Sequence, residues 1–173
     1  MRKISVIGAA VALCVVFVFP IAAGTSASPQ KASAATTIAS TGKNAFVRNA
    51  LIQSTLRFFP ERLTVNSGAT ITITDRDRPR EPHTLSIVSR KARPSNVEQV
   101  FNCKPCRVAG AHFEGQKPKI RVNQGKPGLN RPGDSVLFQP GKSVSAKVTA
   151  PAGKTLYYLC AIHPWMQGRI QAS

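Results

Sequence analysis

The sequence predicts one all-β domain with an antiparallel β-sandwich fold, and three observations carry this prediction. Thr70-Ile71-Thr72-Ile73-Thr74 alternates polar and apolar residues, as a half-buried strand does. Short apolar runs recur between Gly- and Pro-containing turns such as Asn66-Ser67-Gly68 and Pro140-Gly141. No long stretch has helical periodicity, and 173 residues suffice for only one comfortable domain.

Each strand follows from its own run of residues. The run Leu156-Tyr157-Tyr158-Leu159-Cys160 does not alternate, which predicts a central strand covered on both faces. The β-type sequence begins near Ala45, so we place the domain at residues 45–173. The predicted strands are 56–59, 62–65, 70–74, 84–89, 135–139, 143–149, 154–160 and 168–172.

The first residues have the pattern of an export signal. Two positive charges, Arg2 and Lys3, precede an uncharged apolar run and then small residues, which predicts a signal peptide over 1–27. A retained membrane anchor is the alternative. Residues 28–44 are rich in Ser, Ala, Thr and Lys, and this composition predicts a flexible linker. We therefore expect an exported protein that is periplasmic, extracellular or associated with the cell surface or membrane.

Residues 90–133 interrupt the strand pattern. This stretch contains ten Lys and Arg against two Glu, and its second half is dense in Gly, Pro and Asn. Such a long irregular segment inside a domain predicts a surface loop insertion, with one short helix near residues 96–101.

The chain is strongly basic, with 24 Lys and Arg against 7 Asp and Glu. A positive surface attracts anionic partners. The basic residues form no helical stripe and the N-terminus indicates export, so nucleic acid is a poor candidate. We expect a redox partner with an acidic docking surface, or an anionic membrane or wall surface.

The cysteine count points to a metal site. An exported chain would retain Cys103, Cys106 and Cys160, and an odd number leaves one thiol to be explained. Cys160, His163 and Met166 recur at every third residue, and His83 follows a predicted strand upstream. Pro164 disfavours a helix at His163, so the three side chains belong to a loop between strands. Thiolate, imidazole and thioether together favour copper over zinc.

The Cys-x2-His-x2-Met loop resembles that of the cupredoxins, the small blue-copper proteins that include plastocyanin, azurin and amicyanin, and its short spacing is most like amicyanin. The resemblance covers residues 45–173. It implies a Greek-key β-sandwich holding one type 1 copper ion. The implied ligands are His83, Cys160, His163 and Met166.

The resemblance also implies roles for individual residues. Met166 would be the weak axial ligand that helps to set the potential. The edge of His163, ringed by Pro164 and Trp165, would be the electron gateway. The alternative for Trp165, compatible with the first, is a packing residue that shields the metal from water. The family often has Asn directly after its first histidine; this chain has Thr84, whose hydroxyl can make a similar hydrogen bond to the cysteine loop.

The second cysteine pair, Cys103 and Cys106, leaves several hypotheses. A disulfide that fixes the insertion is the first, given export. A second metal site with His112, and a catalytic thiol-redox motif, are the others. His112 could also replace His83 as a copper ligand, although it lies in irregular sequence.

We predict a monomeric electron carrier that is not an enzyme, with extracytoplasmic copper storage or delivery as the alternative. Three histidines are too few for a multinuclear copper oxidase. Asp75 and Asp77 lie in a charged stretch and are expected to be solvated, so they offer no acid–base pair.

Overall fold

The computed structural model describes residues 36–78, 80–123 and 128–173. The predicted signal peptide, 1–27, lies outside the described residues. Two β-sheets dominate this part of the chain, and a separate two-stranded hairpin projects from it. Within the described ranges, no helix is long and apolar enough to cross a membrane.

The first sheet has four strands in the order β10-β6-β1-β4. Its strand β1 pairs parallel with β6, whereas the other two pairings are antiparallel. Its strands are β1 (Thr37–Thr41), β4 (Arg57–Phe59), β6 (Thr70–Asp75) and β10 (Ser143–Lys147).

The second sheet has six strands in the order β5-β12-β11-β7-β9-β8. Here β11 is central, as predicted, and β12 pairs parallel with β5. The strands are β5 (Arg62–Val65), β7 (His83–Val88), β8 (Arg121–Val122), β9 (Ser135–Phe138), β11 (Thr155–Leu159) and β12 (Gln167–Ala172). The expectation of a purely antiparallel sandwich is therefore wrong for two pairs, because alternation along a strand carries no information about its neighbour's direction.

One hydrophobic core joins the two sheets into a sandwich. Ile71 and Ile73 of the first sheet pack in the same buried cluster as Leu85, Leu156 and Tyr158 of the second. Alternate residues of each strand enter this core because side chains on a strand point to opposite faces in turn. The all-β sandwich predicted from the sequence is confirmed.

The prediction of a flexible linker over 28–44 is wrong where the structure describes it. Residues Thr37–Thr41 form β1 in the interior of the first sheet, and Ile38 and Ser40 are fully buried. Asn44–Val47 (β2) and Leu51–Ser54 (β3) pair as the exposed hairpin. A composition rich in Ser, Ala, Thr and Lys predicts a linker, but pairing on both edges supplies β1 with its backbone hydrogen bonds.

The segment 90–133 is more structured than a surface loop. It holds two α-helices, α1 (Val97–Phe101) and α2 (Val108–Phe113), and two one-turn 3₁₀ helices at Arg90–Ala92 and Lys104–Arg107. The short helix predicted near 96–101 is confirmed, and Asn96 caps it by accepting from the backbone N–H of Gln99 at 2.9 Å. The second helix was missed.

This segment covers the outer face of the six-stranded sheet. Val88, Leu159 and Ala161 lie on that face, and they pack against Cys103, Cys106, Val108 and Ala109. The six-stranded sheet is therefore buried on both faces at β7, at β9 and at Leu159, whereas Tyr157 on β11 is only half-buried. The prediction that β11 is covered on both faces holds at its Leu159 end.

Candidate metal centre

Two neighbouring strands bring the distant ligand candidates together. His83 is the first residue of β7, Cys160 directly follows β11, and β7 pairs with β11 in the sheet. A tight loop then returns the chain to β12: the Cys160 N–H donates to the Met166 carbonyl and the Met166 N–H donates to the His163 carbonyl, both at 2.9 Å. The predicted loop between strands is thus what holds Cys160 and His163 side by side.

Three donor atoms form a small buried triangle. Cys160 Sγ lies 3.7 Å from His83 Nδ1 and 3.6 Å from His163 Nδ1, and the two Nδ1 atoms are 3.1 Å apart. Cys160 and His83 are fully buried, and His163 is 8% exposed. Water therefore has little access to the space that the three atoms face.

The triangle has the size that a trigonally bound metal requires. Bonds of about 2.0–2.1 Å to nitrogen and about 2.3 Å to sulfur, at angles near 120°, place the donor atoms about 3.5–3.8 Å apart. The observed separations of 3.1–3.7 Å are close to these values. These three residues can together hold a metal ion.

The outer nitrogen of each histidine contacts a carboxylate. His83 Nε2 contacts Asp77 Oδ2, and His163 Nε2 lies 2.7 Å from Glu81 Oε2. An ionised carboxylate only accepts hydrogen bonds, so it keeps the proton on Nε2 and leaves the Nδ1 lone pair facing inward. Two lone pairs and a sulfur atom that converge in a dry site repel one another, and a cation removes that repulsion.

Burial sets the protonation of all three donors. It lowers the pKa of His83 and that of His163, where the neighbouring His83 adds to the effect, so both imidazoles are neutral ligands near pH 7. Burial also raises the pKa of the Cys160 thiol, although the backbone N–H of Thr84, 3.4 Å from Sγ, opposes this. A metal ion that binds here must therefore displace the thiol proton.

The expectation that Asp75 and Asp77 are solvated is wrong. Both are buried, at 6% and 1% exposure. Burial alone would raise the pKa of Asp75, but donors that include the Gly141 N–H at 2.5 Å and the Ser40 hydroxyl at 2.9 Å hold it below its usual value. Burial and the adjacent Asp75 raise the pKa of Asp77 to about 7. A metal ion bound at His83 Nδ1, across the ring from Asp77, would favour the ionised form of the Asp77 carboxyl.

Asp77 and Glu81 are partners of the ligand candidates that the sequence pattern did not predict. The available signal was a pair of carboxylates four residues apart that ends two residues before His83. Asp75, Asp77 and His83 also lie close enough to form a metal-binding group. In that group, however, His83 would use the nitrogen that already contacts Asp77.

The remaining predicted site residues follow the ligand candidates directly in the chain or lie in the ligand loop. Met166 is fully buried in the same core cluster as Cys160. Thr84 accepts the Ala161 N–H on its hydroxyl at 2.7 Å, so it does hydrogen-bond to the cysteine loop. Pro164 is buried, while Trp165 is 43% exposed and meets the His163 ring edge-on at 5.3 Å between centroids.

Cys103 and Cys106 form a disulfide. Their sulfurs are therefore not free as thiolate ligands for the second metal site considered above. His112 is fully buried, and its two ring nitrogens contact the Lys119 carbonyl and the Ser135 hydroxyl rather than the donor triangle. The structure thus places His83, not His112, beside Cys160.

Comparisons with known proteins give matches among solved structures. No family model matches the chain, and no curated protein matches it. Among solved structures, the chain is similar to a purple cupredoxin from Nitrosopumilus maritimus, with 16% identity over 79% of this chain and 98% of that one and a TM-score of 0.43. It is also similar to a dithionite-reduced auracyanin from Roseiflexus castenholzii, with 21% identity over 82% and 99% of the two chains and a TM-score of 0.42.

Auracyanin A from Chloroflexus aurantiacus, described as a blue copper protein, is a further similar structure, with 21% identity over 78% of this chain and 99% of that one and a TM-score of 0.39. The ligand loop of this chain resembles the loop of the same class of protein, the cupredoxins. Because these TM-scores are low, the metal that this site would bind is inferred from the donor atoms of this chain.

Proposed function

We propose that this chain is an exported, cupredoxin-like carrier of single electrons that holds one type 1 copper ion. The observation that carries the proposal is the convergence of His83 Nδ1, His163 Nδ1 and Cys160 Sγ in a buried triangle with edges of 3.1–3.7 Å. Two imidazoles and a thiolate in a near-trigonal arrangement, with a methionine at hand, suit copper. Met166, buried in the same cluster as Cys160, would supply a thioether as the fourth ligand.

The bound copper would supply a one-electron redox couple. The chain's own residues would support electron transfer in three ways. The strands β7 and β11 hold the donors at fixed separations, which limits rearrangement between oxidation states. Asp77 and Glu81 keep the histidine protons on the outer nitrogens. Burial keeps water and other ligands away, so that only the edge of His163 approaches the surface.

Buried donors favour a carrier over a copper-delivery protein. A delivery protein must release its ion to a partner that can reach the ligands, whereas Cys160, His83 and Met166 are fully buried. The carrier should show reversible one-electron voltammetry and lose Cu(I) slowly to a chelator. Rapid loss of Cu(I), with irreversible voltammetry, would instead indicate delivery.

Visible absorption of the copper-loaded protein tests the metal assignment. The wild type should be intensely blue when oxidised, and Cys160→Ser should be colourless because the absorption arises from the thiolate–copper bond. The matched control replaces Cys103 and Cys106 with serine, which removes two sulfurs but leaves the triangle intact. Colourless wild-type protein, or an unchanged band in Cys160→Ser, would overturn the assignment.

The surface beside His163 suits a partner with an apolar patch edged by carboxylates. A groove of about 550 Å³ between the β2–β3 hairpin, α1 and the ligand loop is lined by Ile52, Val97, Phe101 and Trp165. An adjoining pocket, which shares Pro94 and Asn96 with this groove, is lined by the basic residues Lys91, Arg93 and Lys104. Apolar contact would hold the partner, and the positive rim would steer an acidic one.

Stopped-flow reduction by an acidic c-type cytochrome tests this docking surface. The rate should fall as ionic strength rises, because salt screens the steering. Phe101→Ser should slow the reaction without changing the visible spectrum, since Phe101 is 84% exposed. Phe113→Ser, another exposed phenylalanine but one outside the groove, is the control. Equal rates for the two variants would place docking elsewhere.

A further inference from the structure

A chain of buried hydroxyl groups connects His112 to the metal site. His112 Nε2 lies 2.8 Å from Ser135 Oγ, which lies 2.7 Å from Ser86 Oγ, and Ser86 Oγ lies 2.8 Å from Thr84 Oγ1. All four residues have exposures of 1% or less. Thr84 in turn accepts the Ala161 N–H at 2.7 Å, one residue beyond Cys160.

The fold explains why these residues align. On β7, Leu85 and Ile87 enter the core between the sheets, so Thr84 and Ser86 point to the opposite face. Ser86 pairs directly with Ser135 on β9. The helix α2 covers this outer face and brings His112 onto the end of the hydroxyl row.

The direction of every hydrogen bond in this row is determined. The Lys119 carbonyl can only accept, so the His112 proton is on Nδ1, at 2.5 Å from that oxygen. Burial lowers the pKa of His112, which favours the neutral ring. Nε2 is then an acceptor, and Ser135 must donate to it. Each hydroxyl has one proton, so Ser86 donates to Ser135 and Thr84 donates to Ser86.

At the end of the row beside the metal site, this order of donors and acceptors determines where the Thr84 hydroxyl proton points. Its proton is committed to Ser86 and its oxygen accepts from Ala161. The Thr84 backbone N–H lies 3.4 Å from the Cys160 sulfur, so the Thr84 side chain is attached directly beside this ligand candidate. If the row were cut, the hydroxyl proton could turn to the Cys160 sulfur. A hydrogen bond to a thiolate ligand weakens its donation to the metal and changes the potential.

We propose that His112 is a positioning residue for the metal centre: through Ser135 and Ser86 it turns the Thr84 hydroxyl away from the Cys160 sulfur. This inference rests on the proposed copper function. It gives the segment 90–133 a role at the site, because α2 supplies the acceptor that orients the whole row. Neither His112 nor Ser86 contacts the donor triangle in the hydrogen bonds described above.

The first test needs no copper. Nitrogen-15 NMR of the histidine rings in the metal-free protein should show His112 as the neutral tautomer with its proton on Nδ1. A proton on Nε2 would reverse the row and overturn the proposal. Because this measurement does not depend on bound metal, it separates failure of the hydroxyl row from failure of the copper assignment.

The second test uses four variants of the copper-loaded protein. Ser86→Ala and His112→Phe each remove a link, and both should raise the reduction potential and move the thiolate–copper band to higher energy. His112→Gln retains an acceptor for Ser135 and should restore values near the wild type. Ser67→Ala is the control, since Ser67 donates to the Ala150 carbonyl at 2.7 Å and takes no part in the row.

The outcomes are decisive in either direction. A shared shift in Ser86→Ala and His112→Phe, with His112→Gln and Ser67→Ala unchanged, would support the positioning role. Unchanged potential and spectrum in Ser86→Ala would overturn it, and so would an equal shift in Ser67→Ala. A protein that forms no blue copper centre would also overturn it, whichever tautomer His112 has.

Discussion

The carboxylate of Glu81 offers a quantitative test of the metal site. Its Oε2 lies 2.7 Å from His163 Nε2, and its Oε1 accepts from the Asn44 side chain at 2.9 Å. One negative charge is thus held at the outer edge of a proposed ligand. Because the oxidised copper ion carries one more positive charge than the reduced ion, this carboxylate should stabilise the oxidised state. Glu81→Gln removes the charge and keeps the shape, so the potential should rise.

The size of this shift follows from the geometry. A metal ion on Nδ1 would lie about 7 Å from the carboxylate, including a metal–nitrogen bond of about 2 Å. Coulomb's law at an effective dielectric constant of about 20 then gives about 2.4 kcal/mol. The Glu81 side chain is 30% exposed, and solvent screening that halves this value leaves about 1.2 kcal/mol. Since about 1.4 kcal/mol corresponds to 59 mV for one electron, we expect a rise of about 50–100 mV.

Protein-film voltammetry at pH 7 measures this shift. The control is Glu114→Gln, which removes the same charge from a side chain that is 68% exposed and paired with Lys119 at 3.1 Å. Screening by water and salt should leave its potential close to the wild-type value. A fall in the Glu81→Gln potential, or a rise no larger than the control's, would show that this carboxylate is not coupled to a redox-active metal.

Three further predictions address the axial ligand, the packing and the buried histidine. Met166→Gln should retain blue copper but lower its potential, because a harder oxygen donor favours the oxidised ion; voltammetry that shows no change would remove Met166 from the ligand set. Gly168→Ala should lower the free energy of unfolding by about 1–3 kcal/mol in urea titrations. The reason is that an added Cβ would overlap the Tyr158 hydroxyl and lie 2.6 Å from the Glu61 carbonyl oxygen, and equal stability would show that both can move aside.

The last of the three concerns His112, whose pKa burial lowers. Below the unfolded-state value of about 6.5 the unfolded chain binds more protons at this residue than the native chain, so the metal-free protein should lose stability as pH falls from about 7 to 5. His112→Gln should lose less over the same range, and parallel curves would refute this origin of acid sensitivity.

Local sequence patterns were enough to predict most strands and the part of the site that lies in the loop from Cys160 to Met166. Period-two alternation placed β6, and short runs between Gly- or Pro-containing turns placed β9, β11 and β12, all within a few residues of their observed bounds. The loop from Cys160 to Met166 was predicted because its residues are neighbours in the chain. The same local evidence failed for β1: Thr37–Thr41 has a linker-like composition, and it is a strand because β4 and β6 flank it.

The segment 90–133 shows a different reason for failure. Its charge and its Gly, Pro and Asn content predicted a surface loop, and only the helix after Asn96 had a recognisable start signal. The second helix is stabilised by what it covers: Val108 and Ala109 pack on Val88, Leu159 and Ala161. A segment that buries one face against a sheet formed by distant residues carries little of that information in its own pattern.

The sequence by itself determined that the strands are short, that the run from Thr70 to Thr74 alternates, and that a thiol, an imidazole and a thioether share one loop. All of these are properties of residues close together along the chain. The tertiary structure alone decided which carboxylates face the histidines and which hydroxyl row reaches Thr84. It also brought His83 to Cys160, 77 residues apart, because β7 pairs with β11. Such contacts depend on which strands become neighbours, and strand periodicity does not encode that choice.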